Sequence, residues 1–455
     1  MTSSRGGEEV ADVATGAMPP ERPSTGYARY VLGVLTVMYT FNYLDRYVLT
    51  ILVVPIKQEL ELSDTMMGFL LGPAFALFYT ALGIPIARLA DRRSRRVILS
   101  VSFLIWSAMT AAAGLARSGA VLAATRVGVG VGEAGGTAPA HSMISDYFPP
   151  ENRALAFGVF QQGVYLGQML GLAVGAVLVG LIGWRQTFFV VGLPGVVLAL
   201  VLYATVREPR RGQFEPESAS AQQAHESHAD VTADPPPTMR AAFAELWRRP
   251  SFRALIVGTA IASFAGTGFG FWVPVLFERV HGLSRMEIGF QFGPISAVSA
   301  SIGALLAGVL TDRLGRVDRR WLMWLPATSV LFSLPFLIAM CLVSSPMAAI
   351  LCAIPAGLLG GGWAPAAYAA AQTIAPPRMR ALAASITILG ITLFGMGAGP
   401  QAIGILNDLL APRFGDDAVR YSMSLVLSSC VVGALALAWG AGRIRDDLPV
   451  ETRIV

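Results

Sequence analysis

Three observations predict an all-α integral membrane fold with twelve transmembrane helices in two six-helix pseudo-symmetric halves. Apolar residues make up 54% of the 455 and charged ones only 14%, with a mean hydropathy of +0.58, too little polar surface for a water-soluble globule. Apolar runs long enough to span a bilayer recur throughout, six on either side of a polar break. Short patterns in the first set also return in the second. Leu62-Ser63, Gly68-Phe69 and Gly72-Pro73 recur 221 positions later as Leu283-Ser284, Gly289-Phe290 and Gly293-Pro294, and Asp91-Arg92 lands on Asp312-Arg313 at the same offset. Pro149-Pro150 and Arg153 return as Pro376-Pro377 and Arg380, an offset of 227. Parallel copies of this kind are the organisation from which alternating-access transporters build a midplane site.

Residues 1–27 are polar, hold Pro19, Pro20 and Pro23, and lack the apolar core and cleavage site of a signal peptide, so a disordered cytoplasmic tail is expected. The first run, about 29–56, carries Asn42-Tyr43-Leu44-Asp45-Arg46 near its middle. An ionised side chain at that depth costs at least ~2.5–3.5 kcal/mol and normally faces a watery path or a partner. Runs follow at 64–89, 96–116 and 119–147, the last holding Arg126 and Glu133. Seven residues are nearly two turns, so these two share a helix face roughly 10 Å apart along the axis. Asp45 and Glu133 are candidates for carrying protons. Arg46 and Arg126 are candidates for gripping an anion, because a guanidinium fork matches phosphate or carboxylate.

Gly128, Gly130, Gly132, Gly135 and Gly136 contain the spacing of a dinucleotide fingerprint. They lie inside a membrane helix and follow no strand, so close helix packing is the better reading. His141 and Asp146 have the spacing of a membrane acyltransferase motif, the remote enzyme alternative, but five residues turn a helix by about 140° and point the pair apart. Runs at 153–183 and 185–206 complete the first half, 28–206, with Gly163, Gly167, Gly171 and Gly175 forming a packing stripe.

Residues 207–250, rich in Glu, Ser, Ala, Gln and Pro, have a composition that cannot bury a core and are predicted to be a cytoplasmic linker. The second half, 251–443, has runs at 252–279, 285–310, 320–343, 346–374, 381–410 and 420–442, and 444–455 form a second cytoplasmic tail. Cys341, Cys352 and Cys430 lie in apolar runs without metal or disulfide spacing, so neither metal nor cofactor is expected.

Basic residues fix the orientation. Arg88, Arg92, Arg93, Arg95, Arg96, Arg153, Arg313, Arg316, Arg319, Arg320, Arg378 and Arg380 fall on one side, and only Lys57, Arg117, Arg185, Arg279, Arg285, Arg413 and Arg420 on the other. The positive-inside rule then puts both termini in the cytoplasm. The net charge of +5 reflects this sorting, and a nucleic-acid partner is unnecessary.

Apart from the charges, the first half offers Asn42, Tyr43, Gln162 and Tyr165 at helix-interior depth, while the second offers mostly aromatics such as Phe271, Phe292 and Trp363. A polar wall facing an apolar one suits a substrate with a head group and a tail. Asp91 and Asp312, at the ends of helices 2 and 8, could each meet the positive N-terminus of a helix in the opposite half and latch the cytoplasmic side.

At these residues the chain resembles the major facilitator superfamily over essentially all of 28–443. Its loop signature appears as Asp91-Arg92-Arg93-Ser94-Arg95-Arg96, with Ala87 and Ser94 replacing the usual glycines, and again as Gly308 to Arg316 with both glycines kept. Trp184-Arg185 and Arg207-Glu208-Pro209 fit as well. Within the superfamily, Asn42 to Arg46, Gly130 to Gly135, Ser145 to Pro149 and Trp272 to Ser284 look like the Spinster-type lipid transporters.

The resemblance implies a proton-coupled transporter of lysophospholipid or sphingolipid-like molecules. It also implies a cytoplasmic gate of Asp91, Arg92, Arg96, Asp146, Arg153, Asp312 and Arg313. The organic anion:proton symporters share the Asp-Arg of helix 1 and the Arg and Glu of helix 4, and are the alternative, although Ala134 to Pro139 departs from their pattern. The expected partners are a lipid-like solute, protons and membrane lipids, for a monomer in a cell membrane, most simply a bacterial inner membrane.

Overall fold

The computed structural model describes residues 24–214, 239–376 and 379–447. Most of the tails expected over 1–27 and 444–455, and the middle of the linker with His225 and His228, lie outside the described residues, whereas Thr25–Tyr27 already belong to the first helix and Ile444–Asp447 form a short helix with Ile444 buried.

Eight stretches among the described residues are long and apolar enough to cross a bilayer, and Pro150–Thr205 and Leu382–Ala441 are long enough to cross twice. The first of these is broken at Gly183, with φ of 80°, and the second at Gly415, with φ of 54°, values that glycine adopts without steric cost. Two further crossings are less apolar or interrupted. Thr25–Ile51 contains the polar Asn42 to Arg46 stretch, and the fourth crossing is cut into Gly119–Glu133 and Thr137–Tyr147 by its glycines.

Twelve crossings result among the described residues, each bounded within about five residues of its predicted run except the eighth, which continues to Val317 beyond the predicted 310. They are α1 (Thr25–Ile51, continued by Val53–Glu59), α2 (Asp64–Arg92), α3 (Arg95–Ala113), α4 (119–147), α5 (150–182) and α6 (184–205). The second six are α7 (Pro250–Arg279), α8 (Arg285–Val317), α9 (Trp321–Leu342), α10 (Pro346–Ile374), α11 (380–414) and α12 (Ala418–Ala441).

The linker is more structured at its two ends than its composition predicts. Residues 207–213 dock on the first half, and Met239–Arg248 is a helix whose Leu246 is fully buried. Averaging over 44 polar-rich positions hid Phe243, Leu246 and Trp247, which fall at helical spacing.

Glycines set the closest approaches. Added to Gly167 or Gly171 of α5, a Cβ would lie 2.5 Å from the Thr40 carbonyl or 2.8 Å from that of Leu44 in α1. At Gly130 of α4 it would lie 2.5 Å from the Phe75 carbonyl of α2, so the fingerprint-like series is a packing device. Between the halves, α2 lies on α11 and α5 on α8. A Cβ at Gly68 would come 2.7 Å from the Pro400 carbonyl, at Gly72 2.5 Å from that of Gly397, and at Gly289 2.9 Å from that of Leu172. The glycines that reveal the repeat are therefore those where the two halves touch.

Candidate functional site

The four charges form one buried cluster with crossed pairing. Arg46 donates from Nε to Glu133 Oε2 at 2.8 Å, and its Nη2 pairs with the same oxygen. Arg126 Nη1 faces Asp45 Oδ2 at 3.5 Å. Asp45, Arg46 and Arg126 are all at most 5% exposed, and Glu133 is fully enclosed. Adjacent residues on α1 diverge by about 100°, so Asp45 and Arg46 cannot serve one partner, and the two levels of α4 each receive one of them. Glu133 closes the first segment of α4, immediately before the break at Ala134 to Gly136.

Arg46 is held on three sides by rings, its guanidinium 4.9 Å from the centre of Tyr43, 4.7 Å from Phe75 and 5.4 Å from Tyr79. Rings in this position hold a guanidinium by their negative faces. Its Nη1 reaches across to Met396 Sδ at 3.5 Å, in the π-helical segment Ile391–Ala398 of α11. Asn42 Oδ1, Asp45 Oδ1 and Glu133 Oε1 are buried without a protein partner, leaving acceptor capacity in the cluster.

The repeat offsets expose an asymmetry. Shifted by 221, Asp45 and Arg46 map to Gly266 and Thr267; shifted by 227, Arg126 and Glu133 map to Ala353 and Gly360. The larger offset also carries Gly119–Glu133 onto Pro346–Gly360, helix bounds included. All four counterparts line a single cavity of about 330 Å³, walled by side chains such as Phe271, Phe292, Leu337 and Trp363, with Tyr47 and Gln168 from the first half. Where one half holds two ion pairs, the other lines a cavity whose wall is mostly apolar, with Thr267, Ser296 and Ser333 as polar exceptions.

Of the remaining candidates, Tyr43 joins the cluster and Trp363 lines the void. Tyr165 is half-buried on α5, and Gln162 Oε1 accepts from Ser301 of α8 at 2.9 Å, a contact between the halves.

At one end of the bundle the halves are locked by a cluster around Asp64, which no motif in the sequence marks. Asp64 receives Arg279 bidentately at 2.6 and 2.9 Å, Lys57 at 2.5 Å and Asn407 at 3.1 Å. Asp408 of α11 accepts the first two amides of α2, from Asp64 at 3.0 Å and Thr65 at 2.7 Å. A carboxylate there meets the positive end of the helix dipole. Lys57 and Asp64 map at 221 to Glu278 and Arg285, themselves paired at 2.6 Å, so the repeat keeps the bridge and reverses its charges. That reversal was the available signal. The basic residues involved, Lys57, Arg279 and Arg285, are exceptions to the charge-sorting rule.

At the opposite end, among the described residues, the side chains of Asp91, Arg92, Asp312 and Arg313 make no hydrogen bond or ion pair. The helix-terminus latch proposed for these acids is unmade in this state. Asp146 is held by buried Arg95 at 2.5 Å and not by Arg92 or Arg96. Arg96 lies over the Tyr203 ring, and Arg153 donates to the carbonyls of Ser145 and Phe148. Arg95 also binds Glu208 at 2.8 Å. Burial pushes the Glu208 carboxyl up, but the Arg96 amide, the Arg95 guanidinium and the Ser94 hydroxyl outweigh it and hold the group below its ordinary value. His141 packs edge-on against Phe157 and Phe160, apart from Asp146's partners, so the acyltransferase pair is not assembled.

Residues 35–400 match the Major Facilitator Superfamily. The chain is 33% identical over 425 residues to an MFS-type efflux pump of Mycolicibacterium smegmatis, covering 93% of this chain and 94% of that protein. It is 29% identical to the sphingosine-1-phosphate transporter SPNS2 of Xenopus tropicalis, over 83% of this chain and 73% of that one. The fold superposes on the crystal structure of a bacterial homologue of the human lysosomal transporter Spinster, inward-facing and unoccupied. That comparison has a TM-score of 0.83 and 31% identity, over 94% of this chain and 99% of the other.

Proposed function

The chain belongs to the Major Facilitator Superfamily as a Spinster-type transporter, and from that premise we propose that it carries an anionic, lipid-like solute by proton-coupled alternating access. The observation that carries this reading is the mapping of four charges in one half onto four small residues around a void in the other. A phosphate-bearing head group binds Arg46 and Arg126 while an alkyl tail fills the void, as suits a lysophospholipid or a sphingolipid-like molecule.

The head group competes with Glu133 for Arg46. Once displaced, an ionised Glu133 would be a buried, unpaired charge, which is far costlier than a neutral acid, so it takes up a proton. Asp45 and Arg126 repeat the exchange one level away. Proton and substrate thus bias the same two states, which is all that coupling requires. Both termini are assigned to the cytoplasm of a bacterial inner membrane, the protein working as a monomer.

The test is competition in reconstituted liposomes. Lysolipid displaces a bound fluorescent lipid probe and small sugar acids do not. Displacement by sugar acids alone would favour the organic anion:proton symporters instead.

On the same reading this state is inward-facing, sealed at the Asp64 end. Asp64→Asn and Asp91→Asn should then act with opposite signs. With spin labels on the ends of α2 and α11, Asp64→Asn lowers the inward-facing population, because Arg279 loses its bidentate partner, while Asp91→Asn raises it. Equal shifts in one direction would remove the assignment of the two ends.

A further inference from the structure

The helix Met239–Arg248 has a job that packing does not explain. Leu246 seats it, fully buried against the second half beside Phe252 and Ile444. Phe243 and Trp247, one turn apart, lie stacked with ring centres 5.4 Å apart, yet both are exposed, at 42% and 37%. Two large aromatic rings kept together in water gain little from folding. They gain much more at a bilayer boundary, where indole and phenyl groups collect.

Position supports this. One residue, Arg249, separates the helix from α7, and its backbone is extended because Pro250 disfavours the helical region before it. The chain therefore turns at the foot of a membrane-crossing helix and does not run straight on. Arg249 fixes the turn by donating to the carbonyls of Ile374 at 2.9 Å and Asp447 at 2.5 Å. Phe243 is seven residues from Pro250, five of those steps helical, which keeps it within about 15 Å of the crossing helix. Exposed Arg248 and Arg253 stand on either side of the turn, free of the ion pair that joins Arg249 to Glu245.

We propose that Met239–Arg248 is an interfacial helix that binds anionic phospholipid head groups, its aromatic pair in the boundary layer and Arg248 and Arg253 on the phosphates. This goes beyond the transport reading and is independent of it. The occupant is lipid and not a second protein because the patch is small, adjoins the bilayer by chain connectivity, and combines aromatic with basic groups as a negatively charged membrane surface requires.

The experiment uses the full chain with Cys352→Ser and a nitroxide at Ala244→Cys, reconstituted in phosphatidylcholine vesicles with and without phosphatidylglycerol. The expected result is a shift of label accessibility from a water-soluble nickel chelate towards oxygen when phosphatidylglycerol is present, lost in Phe243→Ser/Trp247→Ser. In native mass spectrometry, Arg248→Gln and Arg253→Gln each lower retained phosphatidylglycerol by about five-fold. Equal nickel accessibility in both vesicles, a shift that survives the double serine variant, or protection that grows with protein density as a second copy would produce, each overturns the proposal.

Discussion

Glu133→Gln, and separately Asp45→Asn, abolish uphill transport driven by a pH gradient while leaving substrate exchange across the membrane in place. Each acid is buried in a single cluster with one arginine apiece, so each is a place where a proton can replace a cation as the neutralising partner. An amide is fixed in the neutral form and still accepts a hydrogen bond from the guanidinium. The variant therefore binds and flips but no longer registers the proton. Leaving Arg46 beside an amide costs stability, bounded by the ~3–5 kcal/mol of breaking a buried pair, so a thermal melt in detergent belongs beside the flux assay. The distance distribution between the ends of α2 and α11 should also lose its pH dependence. Two variants that retain the full pH response would place the coupling proton elsewhere.

Arg46→Lys should weaken substrate binding by about ten- to a hundred-fold, the loss of one charged hydrogen bond of about 1.5–3 kcal/mol. Lysine keeps the charge but has no planar fork, and it cannot lie flat among Tyr43, Phe75 and Tyr79. It also falls short of the reach by which Arg46 touches Met396 in the opposite half. Isothermal titration with the lipid probe displaced above reads the effect. Wild-type affinity in this variant would remove Arg46 as the anchor.

The membrane fold was legible from the long apolar runs, and the charged cluster from the contrast inside them. A polar residue in an apolar run is a large local signal, as at Asp45 and Glu133. The void in the second half gave no such signal, because Gly266, Ala353 and Gly360 look like ordinary packing residues until the repeat offsets lay them over the charges. The Asp64 lock was hidden differently. Its partners come from the far ends of α1, α7 and α11, and nothing local to Asp64 announces Arg279 or Asn407. Asp91 shows a third kind of limit. The sequence marks a helix end carrying an acid, but in this structure the helix-terminus contact is made by Asp408.

That contact and the lock around it differ from the opposite rim in how dissolved salt reaches them. Asp64 is 2% exposed and its pair with Arg279 is largely shielded from mobile ions, whereas the Asp408 carboxylate is half-buried. Exposed charges are damped beyond a Debye length of about 8 Å at physiological ionic strength, whereas enclosed pairs are damped far less. Asp91, Arg92 and Arg93 stand exposed at the other end. Raising the ionic strength should therefore spare the Asp64–Arg279 pair and weaken any contact that the exposed charges of the opposite end make.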